Sequence, residues 1–215
     1  MHYRRCRADD EAANSLLKLL EEPPPGWLFI LITQQAERLL PTVLSRVVRL
    51  RFDAPDTSAV QQILKAKGIT QNTQVLAALA GGSPGRALSY NQADIFAIRR
   101  EALDLLKKLP LQNPFGYIAA LGWGEKYDRA SALLLMEQFI YLLRDVLLVQ
   151  SGAGGQVYNT DIMAGLDGIA ADWPLHTARQ GVNAAQEAWQ NINKNVSAKN
   201  VLEALVLKLD LLRKE

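Results

Sequence analysis

Trp27-Leu28-Phe29-Ile30-Leu31-Ile32-Thr33 is an unbroken apolar and β-branched run with no alternation of polar and apolar positions. Pro23, Pro24, Pro25 and Gly26 bound it on one side, and Gln34-Gln35 on the other. At this length, between such breaks, it reads as a strand buried on both faces, as in a parallel sheet covered by helices. Upstream, Ala12, Ala13, Leu16, Leu17, Leu19 and Leu20 give an apolar helical face, with Asp9 or Asp10 placed to cap its start. The three prolines end that helix, because proline lacks the amide donor and restricts the residue before it. Downstream, Val47-Val48-Arg49-Leu50-Arg51-Phe52 alternates and reads as an edge or last strand of the same sheet. Two strands do not make a stable α/β domain, so residues 1–52 read as an incomplete one.

The turn Asp53-Ala54-Pro55-Asp56 is the first plausible domain boundary, and past it the pattern is helical throughout. Three short helices are expected within residues 53–94: one over 57–67 closed by Gly68, one over 71–80 closed by Gly81-Gly82, and one opening at Ser83-Pro84. Glycine suits the left-handed position after a helix, serine the cap, and proline the first helical turn. From 95 to 215 the helices lengthen, and the spacing predicts them near 95–109, 113–121, 125–150, 160–170, 173–193 and 197–212. The last carries Val201, Leu202, Leu205, Val206, Leu209 and Leu212 at three- and four-residue steps, the face of a bundle helix. The expected fold class is therefore mostly α: an α/β remnant, a three-helix module, and a helical bundle.

Composition narrows the chemistry. The 215 residues are 49% hydrophobic and 21% charged, with a formal net charge of +2, which is ordinary globular chemistry and too weak a field to argue nucleic-acid binding. Arg4, Arg5 and Arg7 read as a solvated end. Cys6 is the only cysteine, and His2 and His176 are the only histidines, so neither an internal disulfide nor a cysteine-rich zinc site can form, and no metal ligands are assigned. With no apolar run of membrane length and no secretory signal, no membrane partner is expected, and a reducing cytoplasmic compartment is. Ser151-Gly152-Ala153-Gly154-Gly155 lacks the following Lys-Ser/Thr and is not a phosphate cradle. Glu21 and Glu22 point about 100° apart on a helix and do not form an acid/base pair. Trp123, Tyr127, Phe139 and Tyr141 read as core packing rather than a platform for bases.

Four segments carry a resemblance. Asn14-Ser15-Leu16-Leu17-Lys18-Leu19-Leu20-Glu21-Glu22-Pro23-Pro24 resembles the helix-to-turn segment of bacterial DNA polymerase III clamp-loader subunits of the AAA+ class. Phe29 to Thr33 looks like that family's sensor-1 strand, and Leu40-Pro41-Thr42-Val43-Leu44-Ser45-Arg46-Val47 resembles its "L-P-T-I-L-S-R-C" segment, with Val47 in place of the usual cysteine. Gly81-Gly82-Ser83-Pro84-Gly85-Arg86-Ala87-Leu88 is similar to the lid signature of the delta-prime branch, more than to that of the ATP-hydrolysing gamma/tau branch.

The resemblance implies a truncated AAA+ domain over 1–52, a lid over 53–94 and a helical collar over 95–215. It implies a hetero-oligomeric ring with gamma/tau and delta partners, acting on the sliding clamp and primer-template DNA. It also implies that Arg46 reaches in trans to ATP-Mg held by a neighbouring subunit, and that Ser45, Thr33 and Arg86 are interface or sensor-like positions. Lys18 is placed toward the DNA-facing surface by the same analogy. The family's phosphate loop and Walker B strand are not in these residues, so this chain alone is expected to bind no cofactor and to hydrolyse no ATP. Two alternatives stand beside this reading: a gamma/tau-type ATPase without its catalytic half, and a helical scaffold unrelated to replication.

Overall fold

The computed structural model describes residues 17–33 and 35–214. They are mostly helical, and the chain divides into two compact units, Met1–Asp53 and Ala54–Glu215.

In the first unit, residues 17–21 are helical up to the proline run. The proposed cap at Asp9 or Asp10 lies outside the described residues. A 3₁₀ turn, Ala36–Arg38, precedes the one-turn helix α1, Pro41–Leu44, which starts on proline. The strands expected at 27–33 and 47–52 are not formed. A strand exists by exchanging backbone hydrogen bonds with a neighbour, and among the described residues no backbone bond joins these two runs. Their side chains accordingly lie open: Leu28 is 81% exposed, and Val48 and Phe52 are each 89% exposed. Among the described residues of this unit, Val43 is the buried hydrophobic one.

The second unit begins with three short helices, α2 (Thr57–Ala66), α3 (Thr73–Leu79) and α4 (Pro84–Gln92). The Asp56 carboxylate accepts the Ala59 amide at 2.7 Å to start α2, and the Ser83 hydroxyl accepts the Arg86 amide at 3.3 Å to start α4. Gly68, at φ +82°, ends the first as the sequence predicts. Gly82 is needed for two reasons. Its φ is +80°, and a Cβ there would lie 2.7 Å from the Pro55 carbonyl oxygen and 2.8 Å from the Ala54 Cβ. Glycine thus lets the turn before α4 lie against the segment that leads into α2.

The bundle follows as α5 (Ile95–Lys108), α6 (Pro114–Leu121), α7 (Trp123–Lys126), α8 (Arg129–Gln150), α9 (Met163–Asp172), α10 (Leu175–Asn193) and α11 (Ala198–Leu212). The helix expected over 125–150 is split: Tyr127 turns extended, and Asp128 starts α8 by accepting the Ser131 amide at 2.9 Å. At 22 residues α8 is the central post, packed by α5, α9, α10 and α11. Leu135, Met136, Phe139, Leu142, Leu143 and Val146 are fully buried along it. Each such side chain removed from water contributes about 1.5–3 kcal/mol, which is what holds the bundle together.

A buried carboxylate fixes the loop between α8 and α9. Asp145, fully buried, accepts the Tyr158 and Asn159 amides and the Asn159 side-chain amide at 2.8–3.2 Å, with the Arg144 guanidinium beside it. Asn159 in turn accepts from Arg99 of α5, whose guanidinium forks onto Asp161 at 2.9 and 2.5 Å. The carboxylate thus does in the interior what water would otherwise do for these backbone donors.

Candidate functional site

Arg46 lies just beyond α1, with its side chain 36% exposed. One nitrogen of its guanidinium donates to the Thr42 carbonyl at 2.9 Å and to the Ser45 hydroxyl at 3.3 Å. Another meets Glu21 Oε1 at 2.5 Å. Ser45 donates its own hydroxyl back to the Thr42 carbonyl at 3.0 Å. Local sequence makes this arrangement: Pro41 starts a single turn, whose last carbonyls are open for side-chain donors. The carboxylate comes from the end of the preceding helical segment, Glu21, which is itself 47% exposed. An ion pair this open to solvent is worth only about 0–1 kcal/mol. Arg46 is therefore held in a defined direction by a partner it can exchange at little cost.

The remaining predicted residues separate from this arrangement. Thr33 is exposed, and its hydroxyl accepts the Gln35 amide at 3.1 Å, a local turn bond. Lys18 is exposed on the helical residues 17–21. Arg86 belongs to the second unit and is occupied there. Its Nε donates to the Tyr90 hydroxyl at 2.6 Å, and a terminal nitrogen donates to the Tyr141 hydroxyl at 2.9 Å and pairs with Glu137 Oε2 at 3.0 Å. Tyr90 donates to the same Glu137 oxygen at 2.8 Å. Burial alone would weaken the Arg86 cation, but the Glu137 carboxylate and the two tyrosine oxygens outweigh it and hold the group charged above the ordinary guanidinium range. Burial, and next Glu137, push the Tyr90 hydroxyl well above the usual phenol range, so it stays a donor.

The aromatic residues read as core behave so in part. Trp123, Tyr127 and Phe139 are buried and meet edge to face at 6.1–6.2 Å. Tyr141 is only half buried and spends its hydroxyl on Arg86. No local pattern marks Glu137 as a partner of Arg86, since the two are separated by about fifty positions and sit on different helices.

Among the described residues no cluster of three or more His, Cys, Asp or Glu side chains could hold a metal ion, and no helix is long and apolar enough to cross a membrane.

Comparison with known proteins gives these residues a setting. Residues 7–56 match the family described as DNA polymerase III, delta subunit. Over 201 residues, 92% of the chain, the sequence is 27% identical to the DNA polymerase III subunit delta′ of Bacillus subtilis, covering 61% of that protein. It is 34% identical over 179 residues to the delta′ subunit of Escherichia coli, covering 81% of this chain and 50% of that one. The gamma/tau subunit of Mycobacterium tuberculosis is 29% identical over 167 residues, 64% of this chain and 28% of that protein. The chain thus spans about half the length of the delta′ relatives it matches.

Proposed function

We propose that this chain, a homologue of the DNA polymerase III delta′ subunits, works as a clamp-loader subunit that places an arginine at a neighbour's ATP site. The observation that carries the proposal is the coincidence of three things along one stretch of chain. The ordered motifs at 14–24 and 40–47 fall inside the family match at 7–56, and the similarity to delta′ subunits runs on through the helical remainder.

In this reading residues 1–52 are the end of an AAA+ domain, 53–94 the lid, and 95–215 the collar through which gamma/tau and delta subunits assemble. Arg46 would leave Glu21 for the phosphoryl oxygens of ATP-Mg bound across the interface. Guanidinium suits the task because it stays charged and offers a planar fork of donors. Its contribution as charge develops on the transferred phosphoryl is about 10³–10⁵ in rate where such fingers are supplied in trans. Ser45 and the Thr42 carbonyl would keep the guanidinium from swinging freely, so that less orientation is lost when it engages. Loading of the sliding clamp onto primer-template DNA is then the work of the ring, driven by its ATP-hydrolysing members.

Arg46→Ala in the subunit assembled with its partners tests this. The expected result is an intact complex by size-exclusion chromatography with light scattering and a DNA-stimulated ATPase lowered by at least tenfold at the affected site. Unchanged ATPase in a verified complex overturns the role of Arg46. A gamma/tau-type ATPase is the second reading, favoured by the similarity to the Mycobacterium tuberculosis subunit. The upstream coding sequence separates the two: an intact G-x-x-x-x-G-K-[ST] loop supports the ATPase.

A further inference from the structure

The short helices α2, α3 and α4 pack mainly on one another, and α4 also packs on the start of the bundle through α5, the next helix in sequence. Between α4 and α5 the chain passes Ala93 and Asp94, and Asp94 sits at φ 47°, ψ 56°, a left-handed conformation unfavourable for a non-glycine residue. Asp94 offsets part of that by accepting the Ala97 amide at 3.3 Å as the cap of α5. The junction is thus short, strained, and free of bulky side chains. Across it, Arg86 and Tyr90 of α4 reach Glu137 and Tyr141 on the middle of α8.

These four side chains form a closed polar ring. Arg86 donates to both tyrosine hydroxyls and pairs with Glu137, and Tyr90 closes the circuit onto Glu137. The guanidinium also lies 5.2 Å from the centre of the Tyr90 ring. Tyr141 continues the contact by meeting Tyr158 edge to face at 5.7 Å, and Arg144 lies 3.9 Å from the centre of that second ring. The cluster therefore ties α4 to the same part of α8 that fixes the 157–161 loop. Glu137 and Arg86 keep 20% and 39% of their side chains in solvent, so the pair can be opened without first unfolding the core.

We propose that Arg86, Tyr90, Glu137 and Tyr141 are a latch that fixes the three-helix module against α8, with Ala93-Asp94 as the pivot about which the module swings when the latch opens. Arg86 is then a positioning residue whose charge is spent within the chain rather than a sensor of bound phosphate. The device stands on this chain's own side chains and does not depend on the clamp-loader reading.

Distances between spin labels in the full chain test it. In a Cys6→Ser background, Ser58→Cys on α2 with Gln186→Cys on α10 reports on the module, and Asp104→Cys on α5 with Gln186→Cys reports on the bundle. The latched chain is expected to give one narrow distance for each pair. Arg86→Ala and Glu137→Gln should add a second or broadened population to the first pair and leave the second unchanged. Arg86→Lys, which keeps the charge but cannot fork to both tyrosines, should fall between. Identical distributions in all variants overturn the latch. So does simultaneous broadening of both pairs, which would mean general loosening. Should Arg86→Ala fail to fold, the isosteric Glu137→Gln carries the test alone.

Discussion

The two units of this molecule contain similar kinds of apolar residue and do opposite things with them. In the second unit Phe139, Leu142 and Val146 are fully buried along α8. In the first, Phe52, Val48 and Leu28 stand almost fully in solvent. The difference is not hydrophobicity but how each kind of element satisfies its backbone. A helix bonds its own amides and carbonyls, so an amphipathic helix needs only a neighbouring surface to bury a face. A strand must first find another strand, and only then can a sheet bury its side chains. Residues 27–33 and 47–52 have strand-like composition and no pairing between them.

Truncating one phenylalanine in each unit puts this difference to its most severe test. Phe139→Ala removes a fully buried ring that packs on Trp123, and should lower the stability of the second unit by about 3–5 kcal/mol in denaturant titration. Phe52→Ala, at 89% exposure, should stay within about 0.5 kcal/mol. A large loss at Phe52 would mean that the first unit buries its aromatic residues in solution after all.

A smaller effect is expected where the second unit depends on backbone rather than packing. Gly82→Ala introduces a Cβ against the Pro55 carbonyl at a left-handed φ, and should cost about 1–3 kcal/mol. Gly81→Ala meets no atom within 4 Å, and its φ of +59° leaves only the conformational penalty of about 1 kcal/mol. Equal melting temperatures for the two variants would remove the close approach as the reason for glycine.

The smallest effect concerns the cap that splits the long helix. Bonds from Ser131, side chain first and then amide, hold the Asp128 carboxyl below its ordinary value. A carboxyl depressed in the folded state stabilises above its unfolded pKa, and that contribution is lost as pH falls through the folded value. Asp128→Asn keeps an acceptor for the cap but cannot titrate. The variant should therefore match the parent near neutrality and show a shallower loss of helical signal on acidification below pH 4. An unaltered acid limb would show that other carboxylates dominate it.

How much of this was legible in the sequence follows the same division between local and distant partners. Helix starts set by neighbours were readable: Ser83-Pro84 opens α4, and Gly68 closes the turn after α2. Asp128 is not readable as a cap, because the apolar periodicity of the surrounding residues masks a break of two residues. The runs at 27–33 and 47–52 have the composition of strands without the structure, since pairing is not a local property. At the candidate site, Arg46 and Ser45 came from the motif, and their contacts with Thr42 are local. The spacing of Glu21 and Glu22 excludes an acid/base pair and says nothing of Arg46, yet Glu21 is its ion partner. The partners of Arg86 lie 47 to 55 positions from Tyr90 and Arg86, beyond any reading by period or spacing.

The buried Asp145 has a consequence for how this chain can vary in length. Its bonds hold residues 158 and 159, while Ser151, Gly152, Gly155 and Gln156 lie exposed just before them. The closure entropy of a flexible loop grows only with the logarithm of its length. Insertions and deletions among related chains should therefore gather at 151–156 and stop abruptly at Val157, giving the α8–α9 connection one elastic half and one half of fixed length.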